Sequence, residues 1–299
     1  MAHSLNTSHP VHLGIMRMAE LTEEYSEGKL EIKVFPNQQL GTEREALELL
    51  QIGSIGMTKV STAAIENFVP EFRVYSLPYL FRDDEHVRTV LQGEIGKELL
   101  LAGEEYWLRG LTYYDAGKRS FYTKDKPILT PDDLDGLKIR VMESQMSMSM
   151  VRSLSGSPTP ISFGELYTAL QQGVVDGAEN NPPSYFSSRH YEVAKYYSLD
   201  EHLMIPDLLL ISTLQWQKLT PQEQQWIQSA ADSSARYQFQ VWAESEKESL
   251  AEVEASGVEV FYPDKEPFME MTAPIYDQFK TSEPDFYQLI QRIREAGNE

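Results

Sequence analysis

The chain has no cysteine, which removes disulfides, thiolate metal sites and cysteine nucleophiles together and leaves the redox compartment undetermined. No apolar run approaches the roughly 20 residues of a membrane-spanning helix, so no segment is expected to insert into a bilayer. Positive charge is scarce: 26 Lys and Arg stand against 46 Asp and Glu, a formal net charge of -20. Without a Lys/Arg stripe, such a surface repels nucleic acid and anionic membranes alike. An anionic ligand is repelled at long range too, so binding one falls to a few arginines sheltered in a cleft. The signatures of nucleotide and hydrolase chemistry are also missing, with no G-x-S-x-G, P-loop or G-x-G-x-x-G. No cofactor is expected. The opening MAHSLNTSHP has no signal-peptide pattern, so the protein is either cytoplasmic or has had an export signal removed.

What is present is an alternation of short apolar strands and amphipathic helices, the pattern of an α/β protein. At 299 residues the chain exceeds what one core usually supports and is expected to form two domains with a cleft between them. The stretches HPVHLGIMRMAELTEEYSEGKL and EREALELLQIG read as helices ending at Gly28 and Gly53; LEIKVFP and GMTKVST read as strands. A helix with a glycine break covers DDEHVRTVLQGEIGKELLLAGEEYW, RGLTYYDAG is a strand, and KDKPILTPDDLDG is a turn-rich crossing between domains. Then come the strand GLKIRVM, a helix over 144–155, the loop GSPTPIS, the helix GELYTALQQG and a strand at VDGAE. PSYFSSRHYEVAKY reads as a helix, and LMIPDLLLIST as one strand returning to the first domain. Thr220 as N-cap, Pro221 at the first helical position, Glu223 in the first turn and Gly257 as stop predict one helix of well over 30 residues. VEVFYP and KEPFMEMTAPIYDQF add a strand and a helix.

Few residues stand out as chemistry. His9 and His12 are three apart but lack an H-E-x-x-H context, so no metal site is expected. The acidic pairs Asp83–Asp84, Glu104–Glu105 and Asp132–Asp133 suit helix starts and turns rather than catalysis. In LDGLKIRVMES, Leu137, Ile139 and Val141 form the apolar face of a strand, with Lys138 and Arg140 on the other. Arg119 and Arg140 fall near the ends of successive strand segments, and Asn180 and Asn181 follow another. Ligands of open α/β sheets collect at such ends, and a guanidinium matches a carboxylate with two parallel donors. On spacing alone, solvated strand and turn residues remain the commoner reading.

Five collinear motifs reverse that weighting: LEIKVFPNQQLGTEREALELLQIG, LPYLFRDDEH, DDLDGLKIRV, SGSPTPISFGELYTALQQGVVDGAEN and STLQWQKLTPQEQQWI. Together they resemble the extracytoplasmic solute-binding proteins of TRAP transporters, the DctP-like family, over nearly the whole chain. The resemblance implies a two-domain, periplasmic-binding-protein-like α/β fold with a hinge, a central cleft and one long helix spanning both domains. The division it implies is residues 1–122 plus 206–245 and residues 123–205 plus 246–299. It implies a non-enzymatic periplasmic receptor that passes a carboxylate ligand to a membrane permease. Arg140 is the implied carboxylate anchor, Asn180 and Arg119 help, and Phe163 is an aromatic wall. Polar positions implied around the rest of the ligand are His3, Ser4, His9, Ser61, Glu143, Asn181, Tyr185, His202 and Asp207. Such a pocket suits a hydroxylated acid, and AHSLNTSHPVH with HLMIPD resembles the sugar-acid-binding branch, which favours a hexuronate such as glucuronate or galacturonate. Alternatives are an aldonate, keto acid or dicarboxylate; a sugar-acid hydrolase or isomerase using Glu143 with His9 or His202; and a signalling receptor.

Overall fold

A computed structural model describes residues 1–297. The chain runs through α1 (Pro10–Tyr25), α2 (Glu43–Gln51), β1 (Met57–Ser61), α3 (Thr62–Ile65), α4 (Asp84–Gln92), α5 (Glu94–Ala102) and β2 (Leu108–Tyr114). It continues through β3 (Arg119–Thr123), β4 (Lys138–Val141), α6 (Gln145–Ser153), β5 (Ser157–Pro160), α7 (Leu166–Gln171), β6 (Gly177–Asn180), α8 (Pro182–Ser187), β7 (Tyr196–Leu203) and β8 (Asp207–Ser212). The final stretch is α9 (Thr213–Trp216), α10 (Pro221–Ala255), β9 (Glu259–Phe261), α11 (Glu266–Thr272), α12 (Pro274–Ser282) and α13 (Pro284–Glu295).

The strands make two sheets. The first has the order β1-β8-β2 and is antiparallel, with β8 in the centre; the second has the mixed order β5-β4-β6-β3-β7-β9. Val11, Ile15 and Met18 on α1 pack with Leu209 and Ile211 of β8 and with Ala230, Ala231 and Trp242 of α10. Tyr122, Ala178 and Tyr197 of the second sheet pack with Leu166 and Leu170 of α7 and Tyr185 of α8. The chain changes sheet at 115–118 and again at 204–206.

The long helix forms as its caps predict. Thr220 accepts from the Glu223 amide while the Glu223 carboxylate accepts from the Thr220 amide, a capping box, and 35 helical residues follow before Gly257, at φ +83°, ends it. It packs on α1 and β2 at one end and on α8 further along, bracing both sheets.

Several expectations are corrected. LEIKVFP is extended but joins no ladder; its Phe35 makes only an isolated bridge to Ala2, which also bridges Thr58 of β1. GSPTPIS is not a loop, because its centre is β5, parallel to β4. Pro158 and Pro160 are tolerated there because β5 is an edge strand, where an absent N–H breaks no ladder. RSFYT, not foreseen, is β3 and is paired with β6 and β7. The helix at PSYFSSRHYEVAKY stops at Ser187, and Arg189 turns left-handed at φ 59°. LMIPDLLLIST divides into the end of β7 and all of β8, separated around Pro206. The helix α13 was not anticipated.

Candidate functional site

Between the two sheets lies a cavity that, its mouth included, leaves about 870 Å³, within the range of small-molecule sites. The second sheet supplies Arg140 from β4, Arg119 from β3 and Asn180 from β6; the first side supplies Lys59 and Ser61 from β1, Glu43 from α2 and Ser4. Asp207 opens β8, where the chain re-enters the first sheet. The β4 alternation is as the sequence predicts: Ile139 and Val141 are fully buried and Lys138 is exposed. Arg140, however, is not solvated; it is 2% exposed and turned into the protein.

Arg140 is the one guanidinium of the site without a carboxylate. Its Nε donates to the Ile161 carbonyl at 2.8 Å, while Nη1 is buried without a hydrogen-bond partner. Burial lowers its pKa from the ordinary arginine value, and it makes no salt bridge among the described residues. A buried, unpaired charge is costly unless an anion completes it.

Arg119 differs. It pairs bidentately with Glu179, Nε to Oε2 at 2.5 Å and Nη2 to Oε1 at 2.9 Å, and its Nη1 donates to Asn180 Oδ1 at 2.8 Å. Because Asn180 Oδ1 also accepts the Asn181 amide at 2.9 Å, the amide nitrogen of Asn180 is the group left to face the cavity as a donor. Arg119 thus aims Asn180. Behind it Glu179 lies 3.7 Å from His202 Nε2, and His202 Nδ1 contacts Asp200 Oδ2 at 2.7 Å. Despite the opposing effect of burial, the Arg119 and His202 charges lower the Glu179 pKa to about 2, and the two carboxylates raise that of His202 to about 9.

On the opposite wall, Lys59 Nζ stands 2.8 Å from Asp207 Oδ1 and 3.4 Å from Glu43 Oε1. Burial raises Asp207 to about 6 in spite of Lys59. Glu43 Oε1 also accepts from the Ser4 hydroxyl at 3.3 Å and the Ser61 amide at 3.2 Å.

Of the residues nominated from sequence, Arg140, Asn180, Arg119, Glu143, Phe163, Ser4, Ser61, Asn181 and Asp207 line the cavity. Glu143 is exposed at its rim, and Asn181 spends its side chain on the Ser184 amide and the Ala116 carbonyl. His3, His9, Tyr185 and His202 do not reach it. His3 accepts from the Leu5 amide at Nδ1 and is left to donate from Nε2 to His12 at 3.0 Å; burial lowers its pKa to about 3. His9 caps α1 through Nδ1, which leaves Nε2–H to meet Ser184 Oγ at 3.1 Å and the Ser184 proton free toward the cavity. Tyr185 is sealed under β6, its hydroxyl donating to the Ala194 carbonyl. Neither His9 nor His202 lines the cavity, although His9 bonds Ser184, which does. Sequence reasoning missed Lys59, Glu43 and Ser184. Lys59 had a readable signal, a charge inside the apolar strand MTKVS, whereas Glu43 resembles any first-turn acid beside its capping threonine.

The rim is bridged. Asn67 Nδ2 donates to the Glu143 carbonyl at 2.7 Å, and Asn6 Nδ2 to that of Ser187 at 2.7 Å.

Residues 1–282 match the family described as bacterial extracellular solute-binding protein, family 7. A TRAP periplasmic solute-binding protein of Xanthobacter autotrophicus Py2, solved with bound β-D-galacturonate, is 41% identical with a TM-score of 0.95, covering 99% of this chain and 98% of that one. One from Chromohalobacter salexigens with bound D-glucuronate is 36% identical with a TM-score of 0.96, at 99% and 98% coverage. A third, from Polaromonas sp. JS666 and bound to D-erythronate, is 33% identical with a TM-score of 0.96, covering 100% of this chain and 98% of its own.

Proposed function

From the premise that this chain belongs to family 7 of the bacterial extracellular solute-binding proteins and is a TRAP solute-binding protein, we propose that it reversibly binds a hexuronate, D-glucuronate or D-galacturonate, and delivers it to a membrane permease from the periplasm. The observation that carries the ligand class is Arg140: a buried guanidinium with an unpartnered Nη1 lining a polar cavity calls for a carboxylate. Asn180 Nδ2 and the Ser184 hydroxyl are the nearby donors that fix its orientation. Two relatives whose solved forms hold hexuronates support the choice among acids.

The residues proposed for ligand contact are Arg140, Asn180, Arg119, Ser184, Phe163, Ser4, Ser61, Lys59, Glu43 and Asp207. The proposed division of the molecule follows its two sheets, with α10 as the shared brace. An acid whose carboxylate sits on the second-sheet wall and whose hydroxyls reach the first holds the two walls together. Such a ligand favours the closed arrangement by its extra contacts there. The role is binding rather than turnover, in keeping with the family.

Calorimetry and thermal shift against hexuronates, aldonates, keto acids and dicarboxylates test the reading. Stabilisation by glucuronate or galacturonate is expected, and none by any carboxylate refutes it. Arg140→Ala is expected to weaken binding by about 100-fold or more, since it removes the charged partner of a desolvated carboxylate. The ligand-free variant should melt no lower than the wild type, because the substitution also removes an unpaired buried charge. Near-normal affinity would refute the anchor.

A further inference from the structure

We propose that Glu43, Lys59 and Asp207 form a wall that reads hydroxyl groups and restricts the site to acids with a single carboxylate, excluding the aldarates in which a second carboxylate ends the sugar chain. The inference rests on Arg140 holding the first carboxylate. Lys59 lies on a strand whose five residues are all buried, and its side chain is 4% exposed. Two carboxylates share this one ammonium: Asp207 Oδ1 at 2.8 Å and Glu43 Oε1 at 3.4 Å. The group therefore carries an excess negative charge where Arg140, across the same cavity, carries an excess positive one.

The hydrogen-bond inventory points the same way. Glu43 Oε1 is saturated by Lys59, Ser4 and Ser61, but Glu43 Oε2 and Asp207 Oδ2 have no protein donor among the described residues. Ionised carboxylate oxygens only accept. They are completed by sugar hydroxyls, which bring protons, and not by a ligand carboxylate, which brings none and adds a third negative charge. Glu143 at the rim adds charge of the same sign. Arg44 also lines the cavity but is no counterweight, because its Nε is 3.2 Å from Glu48 and its side chain is 64% exposed. Specificity of this kind is a repulsion built against the wrong ligand as well as an attraction to the right one.

The experiment is calorimetric titration of D-glucuronate, D-galacturonate and galactarate into the wild type, Glu43→Gln, Asp207→Asn and Arg140→Ala proteins. The wild type should bind a hexuronate at least about 100-fold more tightly than galactarate, the scale of a like-charge juxtaposition. Each wall variant should lose about 10-fold in hexuronate affinity, the scale of one charged hydrogen bond, and narrow the gap to galactarate by a similar factor. Each leaves Lys59 one carboxylate, and unliganded melting curves check that it folds. Galactarate binding as tightly as the hexuronates, or an unchanged gap in both wall variants, overturns the wall while loss of binding in Arg140→Ala still upholds the anchor. Retained hexuronate affinity in Arg140→Ala, or no binding by the wild type, overturns the anchor and the wall with it.

Discussion

At the scale of single residues, the site is set by what each arginine already holds. Arg119 and Arg140 are alike in sequence, each near a strand end, yet Glu179 takes up Arg119 while no carboxylate among the described residues takes up Arg140. Alternation in KIRV predicted the buried and exposed faces but not that one of its two cations would be buried; that depends on β5 and β6 flanking β4. The Glu179 pairing spans 60 residues and was not legible. The Arg119–Glu179–His202–Asp200 chain has a pH signature. His202, raised to about 9, contributes stability that is complete below its ordinary value of 6.5 and is lost as pH rises from 6.5 to 9. Glu179, lowered to about 2, contributes above 4.5 and loses its contribution as pH falls from 4.5 to 2. Asp207 and Glu246, raised to about 6 and about 7, instead lower stability as pH climbs toward those values, and the Met1 amino group, which burial lowers to about 6, raises it between about 6 and 8, so the 8–9 window belongs to His202. Urea unfolding should show wild-type stability declining over that window. His202→Gln should abolish the decline and cost about 3 kcal/mol at pH 6, the scale for breaking a buried charge network. A preserved decline would show that another group titrates there.

Elements were legible where local chemistry fixes them. Thr220, Pro221, Glu223 and Gly257 announced α10, and Gly53 and Gly93 marked helix ends. Elements fixed by distant partners were not: β5 contains two prolines and is a strand because β4 lies beside it, and β3 needs β6 and β7. The brace between α10 and the 115–118 crossing shows how tightly such long-range fits are held. Gln238 bonds both the amide and the carbonyl of Asp115 at 2.8 Å. Gly117 stands at φ +56°, where a Cβ would lie 2.9 Å from both Glu246 Oε1 and Trp242 Nε1. Gly117→Ala should therefore cost about 1–2 kcal/mol from the left-handed backbone alone, with the close approach adding to it. Chemical denaturation checks this, and an unchanged midpoint would mean the crossing relaxes freely.

For the molecule as a whole, the rim bonds that tie one side of the ligand space to the other are kinetically important. Asn6 does not line the cavity, yet it ties the first side to Ser187 at the end of α8. Asn6→Asp keeps the acceptor that serves Ser8 but removes the donor to Ser187. Losing one such bond, about 1 kcal/mol, should raise the ligand release rate about 5-fold and leave the association rate unchanged. Stopped-flow measurement separates the two rates, and a change confined to association would contradict the assignment.

The order β1-β8-β2 also governs when the first sheet can form. Its two outer strands are complete by residue 114, but the strand between them begins at Asp207. A growing chain carries β1 and β2 through β3 to β7 of the second sheet with neither able to pair with its partner. The first sheet, begun at residue 57, thus closes only once β8 is available, after five of the second sheet's six strands have gone by, and no truncation before residue 207 can fold it.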